Sequence, residues 1–323
     1  MSRWLIRRTF DALITAFIAV IVLIILVRLL PGDPLAVLLG DRPAEPAVIA
    51  ALQERWGINR SLAQSIISFF AGLVHGDLSI SLSEQRPVST LLAESLGPTM
   101  LLGSLTLLID FTAGLALGLW SALHPDGFRA RLIGAGTVIG YTLPSFVIGT
   151  VMIWLFAVKL HWFDASGLSD PLLASNAATG AVLLDHLKHL ALPLTTMVIA
   201  TIAIPLRQQR TAALATAVQP WVLAARARGV SPAMVAWRHC WRPALTPIVT
   251  LFGLWLPILV AGSVFVEYVF QWPGIGLLVA NATSNRDFPL VIGAGFVMII
   301  AVQVGSLVAD LLYHVVDPVQ RAS

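Results

Sequence analysis

Charge is scarce in this chain. Only 11% of its 323 residues are charged and 57% are hydrophobic, with a mean hydropathy of +0.85. A soluble globular chain carries roughly a quarter charged residues, so composition points to a membrane protein. Lysine occurs only as Lys159 and Lys188, preceded by Val and Leu, so no Gly-Lys-Ser/Thr phosphate-binding loop exists and the chain is not its own ATPase. A single cysteine, Cys240, excludes an intrachain disulfide. Neither a His-Glu-x-x-His pattern nor a Ser/His couple falls within an apolar run, so no catalytic residue is assigned and an intramembrane enzyme is disfavoured. The net charge of +3 is no nucleic-acid footprint, because the basic residues lie beside apolar runs.

What is present is a series of apolar stretches, each near the ~20 residues needed to cross hydrocarbon. Six are expected, over 9–30, 98–123, 132–158, 190–206, 245–265 and 290–313. The first resembles a secretory signal in its leading Arg3, Arg7 and Arg8. Ala12 to Val27 is uncharged, however, longer than the usual ~7–15 residue signal core, and is read as an uncleaved helix. Arg28 stands near its far end, where a long side chain reaches the interface.

Orientation follows from the positive residues. With the N-terminus inside, the pieces 1–8, 124–131, 207–244 and 314–323 hold 12 of the 20 lysines and arginines, and the outer loops 31–97, 159–189 and 266–289 hold seven. Both termini are therefore expected in the cytoplasm. The outer segment 31–97 shows amphipathic helical patterns punctuated by Gly57 and Gly76, and is expected to be folded.

The inner segment 207–244 carries Arg207, Arg210, Arg226, Arg228, Arg238 and Arg242 and no carboxylate. Within it, Trp221-Val-Leu-Ala-Ala-Arg-Ala-Arg-Gly229-Val-Ser-Pro232 predicts helix, turn, helix. Alanines favour the first helix, Gly229 sits at its end, and Ser231 and Pro232 are placed to start the next. Ala224, Ala225 and Ala227 present a low surface for a protein partner, with Arg226 and Arg228 offering charge. Anionic lipid headgroups are the other reading of those arginines.

The loop, with Trp221-Val-Leu-Ala-Ala-Arg-Ala-Arg-Gly-Val230 followed by His239-Cys-Trp-Arg-Pro-Ala-Leu-Thr-Pro247, resembles the permeases of the dipeptide, oligopeptide and nickel branch of binding-protein-dependent ABC importers. Further matches are Arg207-x-x-Arg210, Pro31-Gly-Asp-Pro34, His75-Gly-Asp-Leu78 with Arg86-Pro-Val88, Glu267 to Gly276, Arg286-Asp-Phe-Pro289, Asp310-Leu-Leu-Tyr313 and Asp317-Pro318. Gln219 and Pro220 stand where that family has acidic residues, Pro243 where it has Asn, and Ser79 where it frequently has Gly.

The resemblance implies an all-α membrane protein of the type I ABC importer permease fold. It divides the chain into an N-terminal helix (1–30), a periplasmic segment (31–97), a five-helix core (98–314) and a cytoplasmic tail (315–323). It also implies that Trp221, Ala224, Ala225, Arg226, Ala227, Arg228, Gly229 and Val230 dock into a separate ATPase. The implied partners are a second, similar permease, two ABC ATPase subunits or domains, a periplasmic or lipid-anchored substrate-binding protein and membrane lipid. The chain itself needs no cofactor, ATP and magnesium belonging to the ATPases.

Candidate pathway or gate residues are Asp110, Pro144, Ser145, Glu267, Trp272 and Gly274. Asp110 lies inside the second span, where a carboxylate must face the bundle or the pathway. Pro144, in Gly140-Tyr-Thr-Leu-Pro-Ser145, kinks or breaks the third span. Trp272 beside Pro273-Gly274 suits a turn at the interface, which the resemblance associates with closing the outer mouth. Asp310 is read as structural. His186 and His189, at i and i+3, form an incomplete metal site, and none is assigned. The expected function is peptide import as an ABC permease. The alternatives are a nickel or metal-chelate permease and a proton-coupled secondary transporter, which would use Asp110 and Asp310.

Overall fold

The computed structural model describes residues 2–30, 45–47, 49, 50, 53, 59–172, 178–245, 248, 251, 255 and 263–316. Apart from one isolated bridge between Ile80 and Pro87, the described residues form helices, turns and loops.

The first helix, α1 (Ser2–Leu29), is apolar on both faces. Ala16, Val20, Ile24 and Val27 recur at helical spacing and are buried, while Phe10, Leu13, Phe17 and Ile18 are exposed. A helix apolar all round has protein on one side and lipid on the other. Next comes α2 (Leu62–Val74), started by a reciprocal cap in which Ser61 Oγ accepts the Gln64 amide at 3.2 Å and Gln64 Oε1 accepts the Ser61 amide at 2.9 Å. No residue of α2 is buried.

The helix α3 (Val88–Ile109) passes through a wide turn, Asp110–Gly114, into α4 (Leu115–Leu123). Together they make an apolar helix of 36 residues. At ~1.5 Å per residue this is about 54 Å, well beyond a ~30 Å hydrocarbon core. That excess explains why the helix begins at Val88, ten residues before the span expected from hydropathy.

In the third span, α5 (Phe128–Thr142) and α6 (Ser145–Met152), prolonged by the wide turns of Ile153–Lys159, meet at 106°. Pro144 forces the break. Its ring drives the preceding Leu143 into an extended conformation (φ −78°, ψ 136°), and the helix restarts after it.

The fourth span, α7 (Thr179–Thr201), starts well before the expected 190 and carries Pro193 within it. It is followed by α8 (Ala203–Ala217) and α9 (Pro220–Ala227), then by a helical stretch from Pro232 to Ala244. Most of the fifth expected span, 245–265, lies outside the described residues. Helix resumes at 263–269, and α10 (Ile275–Ser284) and α11 (Phe288–Val316) follow. By length and composition, four described helices suit a membrane crossing, and the bent pair makes a fifth.

Two compact units are distinguished. The first, 1–99 with 273–303, is built around Val88, Leu91, Leu92, Ile275, Leu290 and Ala294. In it a Cβ at Gly293 would come within 2.5 Å of Val88 Cγ1, so α3 and α11 pack at a distance only glycine permits. The second, 100–272 with 304–323, has its core at Leu102, Leu190, Leu192, Met197, Trp255, Val266, Phe270 and Trp272. Close crossings again use glycine there. A Cβ at Gly140 would lie 2.6 Å from the Ile199 carbonyl, and one at Gly118 would collide with that of Leu206.

Candidate functional site

The basic loop folds on itself. Pro220 occupies the first position of α9, where its missing amide costs nothing, and Gln219 before it is extended (φ −71°, ψ 145°). At the other end Gly229 has φ +78°, with its amide on the Arg226 carbonyl at 2.9 Å and the Val230 amide on that of Ala225 at 3.2 Å. This is the left-handed helix stop expected from the sequence. Met234 N donates to Ser231 Oγ at 3.4 Å, so Ser231 caps the next helix.

Between the two helical pieces, Val222, Val235 and Cys240 form a small apolar cluster flanked by Ala217 and Val230. Burial pushes the Cys240 thiol above its ordinary pKa, against the opposing field of the Arg226 guanidinium.

This cluster corrects one expectation. Ala225 is fully buried with Val222, three residues apart on the inward face of α9. The outward face instead presents Trp221, Ala224, Ala227 and Arg228, with Leu223 and Arg226 to one side. Trp221 and Leu223 are each 51% exposed, and Trp237 (64%) and Met234 (48%) in the same loop are exposed too. Trp237 stacks on Trp241 at 5.5 Å. Apolar and cationic groups thus share one exposed surface.

Inside the second unit, Asp110 is wholly buried and begins the wide helical turn. Trp255 Nε1 donates to Asp110 Oδ2 at 3.2 Å, while Oδ1 has no hydrogen-bond partner among the described residues. Phe111 meets the same indole edge-on. Further along the same span, opposite Gly118, α8 buries Gln209, whose amide nitrogen and oxygen both lack partners among the described residues.

Pro144 and Ser145 stand at the 106° break. Glu267 and Trp272 are fully buried, and Trp272 N closes onto the Glu267 carbonyl at 2.9 Å. Trp272 therefore belongs to the core and is not an interfacial belt residue. Gly274 is extended and immediately precedes α10, whose first amide, Ile275 N, donates to Thr99 Oγ1 at 2.8 Å.

His186 and His189 do not converge. His186 is exposed, whereas His189 is 5% exposed and meets two carboxylates that i, i+3 spacing did not suggest. Its Nδ1 lies 3.4 Å from Asp185 Oδ1 and 3.8 Å from Asp164 Oδ2. The same nitrogen approaches the Asp185 carbonyl at 2.9 Å. A carbonyl only accepts, so this nitrogen is an N–H donor and the group reads as a staple of loop to helix.

Sequence reasoning also missed Asp287. It is fully buried and accepts at Oδ2 from Ser81 Oγ (2.5 Å), Ser83 N (2.9 Å) and Ser83 Oγ (2.8 Å), and at Oδ1 from Leu290 N (3.2 Å). The only signal was its place in Arg286-Asp-Phe-Pro289.

Residues 114–322 match the family described as "Binding-protein-dependent transport system inner membrane component", and residues 1–95 match the N-terminal component of such systems. The chain is 33% identical to the di/tripeptide transport system permease protein of Pseudomonas aeruginosa, covering 97% of each chain. It is 30% identical to the oligopeptide transport system permease protein of Bacillus subtilis, over 98% of this chain and 99% of the other. Identity to the glutathione transport system permease protein of Pectobacterium atrosepticum is 30%, over 99% of each.

Proposed function

The chain belongs to the binding-protein-dependent transport system inner membrane components, and on that premise we propose that it is one of two permease subunits of an ATP-driven importer of peptides. It is a multi-pass inner-membrane protein of the type I permease fold. Both termini face the cytoplasm, residues 1–30 form the additional N-terminal helix, 31–97 the periplasmic segment, 98–314 the core and 315–323 the tail. The relatives named for di/tripeptide, oligopeptide and glutathione transport support a peptide substrate over a nickel or metal-chelate one.

The observation that carries the reading is the loop 220–241. It is basic, free of carboxylates, folded on its own apolar cluster and exposes Trp221, Leu223 and Trp237. A chain without a phosphate-binding loop takes its power from elsewhere, and this surface is where a separate ATPase, carrying ATP and magnesium, docks. A second permease completes the pathway, and a substrate-binding protein delivers solute to the outer side. Asp110, Pro144, Ser145, Glu267, Trp272 and Gly274 belong to the pathway and its gate.

Reconstituted vesicles test this. Peptide uptake should require ATP, both ATPase subunits and the binding protein, and should survive collapse of the proton gradient. Uptake driven by a proton gradient without ATP would restore the secondary transporter and place the work on Asp110.

A further inference from the structure

At the end of α1 opposite the N-terminus lies a cavity of about 390 Å³, whose lining includes the polar Arg28, Arg60, Ser65, Asp77 and Ser79 and the apolar Phe69, Phe288 and Ile292. We propose that this cavity holds the headgroup of a zwitterionic phospholipid of the ethanolamine type, its phosphate on Arg28 and Arg60 and its ammonium on Asp77. The site rests on α1 crossing the membrane and not on the identity of the transported solute.

Depth comes first. Arg28 lies in the last turn of an apolar helix, which places its guanidinium at the level of lipid phosphates. It donates to the Arg60 backbone carbonyl at 2.8 Å and to Ser65 Oγ, which ties the end of α1 to the start of α2. The Arg60 side chain itself bonds to no described residue. Both arginines line the cavity, and the planar fork of a guanidinium suits a phosphate diester.

The rest of the cavity supplies the second charge. Asp77 uses Oδ1 to accept the Ser79 amide at 2.7 Å, leaving Oδ2 without a partner among the described residues. Ser79 has φ +72°, a left-handed conformation that glycine would adopt without strain. The chain nevertheless places a hydroxyl there, and it lines the cavity. Strain of this kind is retained where the side chain has a task.

Finally, α2 fits a lipid surface. It is apolar along most of its length yet none of its residues is buried, with Ile67 68% exposed and Val74 83% exposed. A helix of that character lies in the headgroup boundary. The volume suits a headgroup alone, being near the lower end of the ~300–1,000 Å³ of small-molecule sites. Acyl chains would run along the exposed apolar face of α1.

The test uses the assembled, purified transporter and native mass spectrometry. The probes are a short-chain phosphatidylethanolamine, the matching phosphatidylglycerol and inorganic phosphate. The wild type should bind the ethanolamine lipid saturably. Arg60→Gln, which breaks no side-chain hydrogen bond among the described residues, should weaken both lipids roughly fivefold. Asp77→Asn should weaken only the ethanolamine lipid, since an amide still accepts from Ser79. Unchanged binding in Arg60→Gln would overturn the site. Displacement by millimolar inorganic phosphate would replace the lipid with a free anion, and equal loss of both lipids in Asp77→Asn would remove the ammonium from the account.

Discussion

Ser81 donates its hydroxyl to Asp287 at 2.5 Å across 206 residues of sequence, and two further donors from Ser83 share the same carboxylate oxygen. The other oxygen caps the first turn of α11 through the Leu290 amide. One buried carboxylate therefore ties the turn before α3 to the start of the last helix. Left-handed Gln85 (φ +54°) and Arg286 (φ +53°) shape the two segments that meet at it.

Asp287→Ala should accordingly destabilise the protein. It strands three donors on the Ser81–Ser83 turn and removes the cap, a loss on the order of 3 kcal/mol. A fall of several degrees in the unfolding temperature of the purified complex is expected, with a smaller one for Ser81→Ala. Equal temperatures for Asp287→Ala and the wild type would show that the carboxylate bears no load.

For Asp110 the expected order is that Asn impairs transport less than Leu. The amide oxygen of Asn still accepts from Trp255 Nε1, whereas Leu leaves a buried indole donor unsatisfied at roughly 1–3 kcal/mol. Uptake at matched expression reads this out. Equal loss with both variants would make the charge itself the requirement.

Cys240 should label slowly with maleimide from either side of the membrane. It is 1% exposed, and burial holds its thiol above the ordinary range, so little thiolate exists at neutral pH. Its silence therefore says nothing about topology. Exposed Glu84→Cys and Ala233→Cys provide the orientation test, Glu84→Cys labelling from outside and Ala233→Cys only after permeabilisation. The reverse pattern would invert every assignment of sides.

Much of this was legible in the sequence, for reasons particular residues make plain. Gly229 acts through its own backbone and Ser231 through a cap three residues away, so their roles in the loop follow from residue type and spacing. Pro144 likewise announces a break, though not its 106° angle, which depends on what α5 and α6 pack against. The start of α3 at Val88 was hidden because hydropathy marks hydrocarbon and not the helix that continues beyond it. Ala225 pointing inward was hidden too. In an alanine-rich helix every face looks alike, and only the cluster with Val222 and Cys240 sets the direction. The Asp287 and His189 groups join residues far apart in sequence or on different elements, and no local pattern encodes such meetings.

The central claim is that the outward face of α9 transmits the work of a separate ATPase, and Gly229 and Ala224 examine it without touching the apolar cluster. Nothing lies within 4 Å of a Cβ built at Gly229, so Gly229→Val acts through its φ of +78° alone, at about 1–2 kcal/mol. Ala224→Trp adds bulk to an exposed position, whereas Ala225→Trp would only disrupt packing. The decisive measurement is ATP hydrolysis stimulated by the binding protein, taken with peptide uptake, in vesicles containing the assembled complex with Ala224→Trp or Gly229→Val. The account predicts normal insertion and folding with stimulation and uptake lost together. Wild-type stimulation and uptake in both variants would contradict it and leave the arginines of this loop to membrane lipid.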